Sequence, residues 1–195
     1  LPLNPYGRSK LAIENMLEDV YKSNIKLWNI CILRYFNPVG AHPSGFFGEH
    51  PNGIPNNLFP LITQVAIGRR KFLQVFGDDW DTNDGSGIRD YIHVMDLVDG
   101  HLSALDYLRS NCGFDVINLG SGSGFSVFQI INEFELSTGC TIPFKINRRR
   151  DGDIAKSFAD ISKAKKLFGW IPKKSLHQIC LDSWNWQRNN PSGYL

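Results

Sequence analysis

The chain has 195 residues, of which 42% are hydrophobic and 21% charged, and its formal net charge is +2. This is the composition of an ordinary globular protein, and the near-neutral charge gives no reason to expect nucleic acid or an acidic membrane as a partner. No apolar run approaches the ~18 residues that a membrane span requires, so no membrane partner is expected. The four cysteines form no C-x-x-C motif, which favours reduced thiols and a cytoplasmic location.

The first predicted element is a helix that begins at Asn4-Pro5 and ends around residues 23–24, with a left-handed cap at Asn24. Asn4 can accept a backbone N–H at the helix start, and proline is favoured in the first turn. One face of this helix is apolar and carries Ile13, Met16, Leu17, Val20 and Tyr21.

Tyr6 and Lys10 are four residues apart, on adjacent turns of one face of that helix. A phenol is a poor base at neutral pH because its unperturbed pKa is ~10. A fixed ammonium group a few ångströms away favours the phenolate and lowers that pKa toward the working pH. The pair is therefore a candidate for proton transfer, although Tyr and Lys also fall four apart on many solvated helices.

Residues 28–36 form a near-continuous apolar run, which is typical of a parallel strand buried on both faces. The run ends in Asn37-Pro38-Val39-Gly40, a turn at the carboxyl end of the predicted strand. Open α/β sheets bind their ligands at such ends. The Gly- and Pro-rich residues 42–55 follow as a long loop, and loops of this length in compact domains are usually functional or disordered.

The middle of the chain alternates between helix and strand signals. A helix is predicted after Asn57, with Gly68 as its stop, and a short strand at residues 72–76. The acidic, glycine-bearing residues 77–87 predict an exposed excursion. Residues 88–94 alternate as a strand does, and Asp96 is predicted to cap the next helix.

Residues 116–120 predict another strand, and a capping box of Ser126 and Gln129 begins the next helix. Between them, residues 120–124 have the spacing G-x-G-x-G, which differs from the G-x-G-x-x-G of dinucleotide-binding loops. No acidic residue closes a following strand ~20 residues later, where a ribose would need it. These glycines are therefore predicted to form a structural turn.

The last part of the chain is predicted to form a strand and two helices, at residues 143–147, 162–168 and 175–188. Ser175 and Gln178 suggest a second capping box. The run Arg148-Arg149-Arg150 is most often a solvated face, and a nucleic-acid patch or one arginine aimed at a phosphate are the alternatives. The five histidines show no metal-ligand spacing, so no metal site is predicted.

Four motifs lie in order along the chain: Tyr6-Gly-x-Ser-Lys10, Arg34-Tyr-Phe-Asn-Pro38 before Gly40, Gly87-Ile-Arg-Asp-Tyr-Ile-His-Val94, and Arg150-Asp-Gly-Asp153. Together they resemble the UDP-glucose 4-epimerase family of the extended short-chain dehydrogenase/reductases. The resemblance spans the whole chain and corresponds to the C-terminal half or more of that family. It implies an α/β fold: the C-terminal part of a Rossmann-type doubly wound parallel sheet plus a smaller mixed α/β substrate-binding domain.

The resemblance also implies a domain division. Residues 1–40 would belong to the NAD-binding Rossmann domain and residues 41–195 mainly to the UDP-sugar-binding domain, with segments around 89–124 returning to the Rossmann domain. The Gly-rich NAD-binding half of that family and its catalytic Ser/Thr have no counterpart here. Because the sequence also starts at Leu1 without methionine, the chain is expected to be truncated.

The activity implied by the resemblance is epimerisation of UDP-galactose and UDP-glucose at C4, with tightly held NAD, a UDP-hexose substrate and a homodimer. Tyr6 would be the acid/base, Lys10 would tune it, and both of them, with Tyr35, would contact NAD. The implied substrate-binding residues are Asn37, Asn57, Leu58, Gln74, Val75, Phe76, Arg89, Arg150, Asp153 and Ser157.

Within that set, Arg89 and Arg150 would clamp the diphosphate, since each guanidinium can bind two oxygens at once, and Asp153 would meet the ribose. Ser157 would line the sugar pocket and leave room for a 2-acetamido group, with an exposed strand serine as the alternative. Two other interpretations of the chain stay open. In the first, the chain belongs to another nucleotide-sugar epimerase or dehydratase of the same branch. In the second, it is a truncated product that only binds a UDP-sugar or a partner.

Overall fold

The structure is a computed structural model that describes residue 2 and residues 4–194. Leu1 and Leu195, the outer limits of the predicted domains, lie outside the described residues. The helices are α1 (Pro5–Ser23), α2 (Leu58–Ala66), α3 (Val94–Ser110), α4 (Val127–Thr138), α5 (Ser162–Phe168) and α6 (Leu176–Asn189). The strands are β1 (Ile30–Tyr35), β2 (Asn37–Val39), β3 (Leu73–Phe76), β4 (Ile88–Arg89), β5 (Tyr91–His93), β6 (Phe114–Leu119), β7 (Phe125–Ser126), β8 (Phe144–Asn147) and β9 (Lys156–Ser157).

Most of the strand pairs are parallel. β1 pairs with β6, β2 with β5, and β3 with β8, and each of these pairs is parallel. A further small sheet has the order β7-β4-β9, in which β4 is antiparallel to β7 and parallel to β9. Helices separate the paired strands along the chain, as parallel pairing requires. The predicted α/β class with parallel strands is confirmed.

Two buried clusters hold these elements together. The first joins α2, α4, α6 and β3, and its fully buried residues include Ile62, Phe134 and Ile179. The second joins β5, β6 and α5 around Ile92 and Trp170. Burying a large apolar side chain stabilises a fold by ~1.5–3 kcal/mol, so these clusters fix the strands and helices that border the cleft described below.

α1 begins as predicted but ends differently. The Asn4 side chain accepts a hydrogen bond from the Gly7 N–H at 2.8 Å, and Pro5 lies in the first turn. Asn24, predicted as a left-handed cap, has φ −157° and ψ 86°, which is not left-handed. Its side chain instead accepts a hydrogen bond from the Lys26 N–H at 3.2 Å. Such local side-chain turns compete with helix caps, which explains the difference.

β1 and α1 are less buried than their sequences predict. β1 covers residues 30–35 of the predicted 28–36, is only partly buried, and pairs with β6 alone among the described strands. α1 has no buried residue, and its apolar stripe is open: Met16 is 67% exposed. The prediction of burial on both faces is therefore wrong for the described part of the chain. α1 and α3 both contact β1, but the edge of β1 away from β6 has no neighbour among the described strands.

The predicted single strand over residues 88–94 is divided into β4 and β5 at Asp90. Asp90 is fully buried, and its carboxylate accepts hydrogen bonds from the N–H groups of Ser121 at 2.7 Å, Gly122 at 3.0 Å and Ala159 at 3.0 Å. A Cβ at Gly120 would lie 2.5 Å from this carboxylate, so only glycine fits there. The glycines of residues 120–124 therefore form a structural turn around Asp90, as predicted.

Replacing Asp90 by alanine is expected to lower the free energy of unfolding by roughly 3–5 kcal/mol, because the N–H groups of Ser121, Gly122 and Ala159 lose a charged acceptor that is itself fully buried. Denaturant unfolding of the full-length protein measures this. Asp99→Ala is the matched control, since Asp99 is exposed on α3, and it should change the stability by no more than about 0.5 kcal/mol. Equal effects of the two substitutions would contradict the role given to Asp90.

The start of α3 also differs from the prediction. His93, and not Asp96, caps this helix: His93 Nδ1 accepts the backbone N–H two residues on at 3.0 Å. The Asp96 carboxylate instead accepts hydrogen bonds from the backbone N–H groups of Lys173 and Lys174, at 3.0 and 2.8 Å. His93 Nε2 lies 3.1 Å from Asp182, and burial lowers the pKa of His93, which favours a neutral ring that donates to this carboxylate.

The two predicted capping boxes have different outcomes. At α4 the box is complete, with Ser126 and Gln129 bonded to each other's backbone N–H groups. At α6 the Ser175 hydroxyl accepts from the Gln178 N–H at 3.2 Å. The Gln178 side chain, however, donates to Asp182 at 2.9 Å, so only half of the second box forms.

Candidate active site

A cleft of about 450 Å³ is lined by residues of α1, β2, α2, β3 and β4 and of the segment after β8. The predicted site residues that line it are Tyr6, Asn37, Asn57, Leu58, Gln74, Val75, Phe76, Arg89, Arg150 and Asp153. They come from segments far apart in the sequence, and the fold brings them to one cavity. This size and concave shape are typical of a small-molecule site.

Tyr6 lies at one end of the cleft, on the first turn of α1. Its side chain is 72% exposed, and its hydroxyl makes no hydrogen bond to another described residue. Lys10 follows one turn later, with Nζ at 5.1 Å from the centre of the Tyr6 ring. The predicted proximity of the two side chains is present, and the phenol hydroxyl is accessible to a ligand.

Lys10 and Tyr35 line a second, adjoining groove of about 730 Å³ between α1 and β1, and Tyr6 lines both cavities. Arg34 of β1 donates to Glu14 of α1, with Nε and Oε1 at 2.7 Å, and this pair ties the two walls of the groove together. The Arg34 guanidinium also holds the pKa of the Glu14 carboxyl below its usual value. The residues predicted for NAD thus share a groove that meets the cleft at Tyr6.

The cationic part of the cleft contains Arg89 and Arg150. Arg89 Nη2 donates to Asp153 Oδ1 at 3.1 Å, and Nη1 donates to the Ile88 carbonyl at 2.9 Å. The guanidinium of Arg150 lies over the Phe76 ring, 3.8 Å from its centre. Both arginines are thus held in place by neighbours within the cleft. Two such groups suit the binding of a diphosphate.

The three consecutive arginines have separate environments. Arg150 lines the cleft, whereas Arg149 stacks on Trp80 at 4.1 Å and donates from Nε to Asp79 at 2.7 Å. Arg148 is exposed and makes no hydrogen bond or ion pair with a described residue. The interpretation of one arginine aimed at a bound anion therefore agrees with the geometry better than a uniform basic patch does.

Ser157 does not line the cleft. It lies on β9, directly opposite Arg89 in the parallel pair of β4 and β9, and it is only partly buried. Paired residues of adjacent strands point to the same face of a sheet, so Ser157 shares a face with Arg89, but only Arg89 reaches the lining of the cleft. The hypothesis that Ser157 makes room for an acetamido group gains no support from this placement.

Some residues of the cleft were not identified from the sequence. Trp80 and Gly87 belong to the excursion of residues 77–87, which was predicted to be exposed, yet both line the cleft. The Trp80 indole N–H donates to the Phe76 carbonyl at 3.3 Å, which folds the excursion back on β3. A tryptophan among acidic residues was the available signal. Tyr91 of β5 also lines the cleft and had been assigned only to a strand.

Burial disfavours two alternatives to Tyr6 as the reacting group, namely a second tyrosine and two of the cysteines. Burial raises the pKa of Tyr91 to about 12, so Tyr91 does not compete with Tyr6 as an acid/base. The four cysteines are free thiols. Burial raises the pKa of Cys180 to about 12 and, with the nearby Asp115 carboxylate, that of Cys31 to about 11. Neither is an activated thiolate.

Within residues 2 and 4–194, no group of three or more His, Cys, Asp or Glu side chains is arranged to hold a metal ion. None of the helices in this part of the chain is both long and apolar enough to cross a membrane.

The NAD dependent epimerase/dehydratase family matches residues 1–120, which is more than half of the chain. The chain belongs to this family. The name of the family specifies NAD as its cofactor. The groove of Tyr6, Lys10 and Tyr35 presents two phenol hydroxyls and an ammonium group as hydrogen-bond donors.

Relatives of known activity agree with this assignment. The UDP-glucose 4-epimerase of Bos taurus is 52% identical over 191 residues, covering 98% of this chain and 55% of the relative. A solved UDP-glucose 4-epimerase from Bifidobacterium longum, in complex with NAD+ and UDP, has a TM-score of 0.94 at 50% identity, covering 98% of this chain and 56% of that chain. The enzyme from Stenotrophomonas maltophila, with NAD and formylated UDP-arabinopyranose, has a TM-score of 0.92 at 50% identity, covering 95% and 55%. The chain spans about half the length of the curated relatives it matches.

Proposed function

We propose that a full-length protein carrying this chain interconverts UDP-galactose and UDP-glucose by inverting C4, as part of galactose metabolism. The observation that carries the proposal is the shared cleft: the candidate acid/base Tyr6 lines the same cavity as Arg89 and Arg150. A UDP-hexose has a diphosphate to meet the arginines and a sugar hydroxyl to meet the phenol. The similarity to UDP-glucose 4-epimerases supports this choice of substrate.

In this proposal Tyr6 removes the proton from the 4-hydroxyl and later returns it. Lys10 lies one turn away, with Nζ 5.1 Å from the centre of the Tyr6 ring, so its positive charge is close to the side chain that transfers the proton. NAD, when bound, supplies the reversible acceptance of hydride at C4. Lys10, Tyr35 and Tyr6 line the groove that would hold the nicotinamide ribose.

The other residues of the cleft would anchor the nucleotide. Arg89 and Arg150 would bind the diphosphate, and Asp153, already fixed by Arg89, would accept from a ribose hydroxyl. β3 pairs only with β8 among the described strands, so the backbone groups of its other edge are available to the uracil. Firm anchoring of the remote nucleotide would leave the sugar free to turn and present its other face.

Incubating the full-length protein with UDP-galactose and measuring UDP-glucose over time tests the proposed activity. Conversion without net reduction of NAD is expected, since the hydride taken from the sugar returns to it. Absence of conversion by a folded protein that has NAD bound would overturn the proposal.

Replacing Arg150 by alanine should weaken the binding of UDP roughly 10- to 100-fold, because a charge-assisted contact to phosphate is lost. Arg148→Ala is the matched control: it removes the same charge two residues away, outside the cleft lining, and should change the affinity no more than about twofold. Calorimetric titration with UDP measures both. Equal losses would indicate that general charge, and not a specific contact of Arg150, attracts the nucleotide.

A further inference from the structure

The loop between β2 and α2 is fastened to the C-terminal residues of the chain. The Tyr194 hydroxyl accepts from the Gly48 N–H at 2.9 Å and donates to the Gly48 carbonyl at 3.0 Å. The Trp186 indole N–H donates to the carbonyl of the next residue, Glu49, at 3.2 Å. A Cβ at Gly48 would lie 2.2 Å from the Trp186 ring, so the loop passes too close for any other residue. Tyr194 and Trp186 thus hold the backbone of the loop at Gly48 and Glu49.

Further contacts along the same loop come from the same C-terminal stretch. Asn185 donates to the Pro43 carbonyl at 3.2 Å, and Asn190 donates to the Gly45 carbonyl at 3.0 Å. The Tyr194 and Trp186 rings are in contact, tilted by 43° with their centres 4.6 Å apart, and Trp186 is buried. These hydrogen bonds are accepted by backbone carbonyls at several positions. They therefore fix the path of the loop backbone and not only the position of one side chain. We call residues 185–194 the C-terminal latch.

The loop in turn holds a residue of the cleft. Glu49 Oε1 accepts from Asn57 Nδ2 at 3.0 Å. Asn57 occupies the N-cap position of α2, where asparagine usually accepts a backbone N–H, yet its side chain makes no such bond. A carboxylate can only accept hydrogen bonds, so Glu49 fixes which end of the amide faces it. The second amide hydrogen and the carbonyl oxygen of Asn57 are left for a ligand in the cleft that this residue lines.

We propose that the C-terminal latch positions Asn57 for nucleotide-sugar binding by holding Glu49 in place. Tyr194 and Glu49 are positioning residues in this scheme, since they act through Asn57. The inference rests on the proposed function only in the choice of ligand, which is a nucleoside diphosphate.

The test uses the full-length protein with NAD bound and UDP as the probe. Tyr194→Phe and Glu49→Gln should each raise the Kd for UDP roughly three- to tenfold, as expected when a binding group loses its orientation. KM for the UDP-sugar should rise in parallel, with kcat unchanged within about twofold. Tyr107→Phe and Glu133→Gln are the matched controls. They remove a tyrosine hydroxyl bonded to Asp115 at 2.8 Å and a carboxylate bonded to Ser137 at 2.8 Å, both outside the cleft lining, and should leave the Kd unchanged.

The decisive measurement repeats Tyr194→Phe and Glu49→Gln in an Asn57→Ala background. If both act through Asn57, each should then change the Kd less than about twofold, because coupled residues are not additive. Three results would overturn the proposal that the latch positions Asn57. They are undiminished effects in the Asn57→Ala background, an unchanged Kd in the single variants, and equal effects of the controls. A protein that binds UDP but does not epimerise would refute the proposed function while leaving this test intact.

Discussion

Replacing Tyr6 by phenylalanine in the full-length protein is expected to lower kcat for epimerisation by about 10²–10⁴-fold, the range for loss of a general acid/base. The substitution removes only the hydroxyl. That hydroxyl makes no hydrogen bond to another described residue, and the ring is 72% exposed, so neither the fold nor the cleft depends on it. The Kd for UDP should stay within about twofold, because Arg89 and Arg150 are unchanged. Steady-state kinetics and UDP titration on the same preparations measure both.

Tyr21→Phe provides the control for this experiment. Tyr21 lies on the same helix, on the side that contacts Phe114 with ring centres 5.8 Å apart, and it lines neither the cleft nor the groove. Its substitution should leave kcat unchanged. A Tyr6→Phe protein that keeps more than about a tenth of the wild-type kcat would show that another group transfers the proton.

The parts of the site that could be predicted rest on local signals. Asn4 and Pro5 determine where α1 begins, and the helical repeat then places Lys10 one turn after Tyr6. The box of Ser126 and Gln129 is similarly local and formed as predicted. For such features the interacting groups are within four residues of each other, so the sequence pattern and the structure contain the same information.

The parts that could not be predicted depend on partners distant in sequence. Asp96 looked like a cap, but the N–H groups of Lys173 and Lys174 take its carboxylate. Trp80 looked exposed, but the guanidinium of Arg149, far along the chain, lies 4.1 Å from the centre of its ring, and Trp80 lines the cleft. The C-terminal latch joins residues about 140 positions apart, and no periodicity or spacing reveals which carbonyl a distant side chain will meet.

The 195-residue chain produced alone is expected neither to retain NAD nor to epimerise, and to associate or precipitate. On α1, Ile13 is 49%, Met16 67% and Val20 40% exposed. Contiguous apolar surface of this kind drives association. β1 pairs only with β6 among the described strands, so its other edge offers unpaired backbone groups to a second chain. Among the described residues, only those of α1, β1 and residue 2 line the groove of Lys10 and Tyr35, which leaves a bound dinucleotide largely in water.

Gel filtration, thermal unfolding and NAD content of the purified 195-residue chain measure these properties together. A Met16→Lys, Val20→Lys variant should be more soluble than the unmodified chain, because charge interrupts the exposed stripe of α1. Glu18→Lys, on the same helix but already polar, is the matched control and should give a smaller gain. Neither variant should recover NAD, since solubility does not supply the missing contacts of the groove. A monomeric, cooperatively unfolding chain that purifies with NAD bound would show that α1 and β1 are sufficiently supported within the 195 residues.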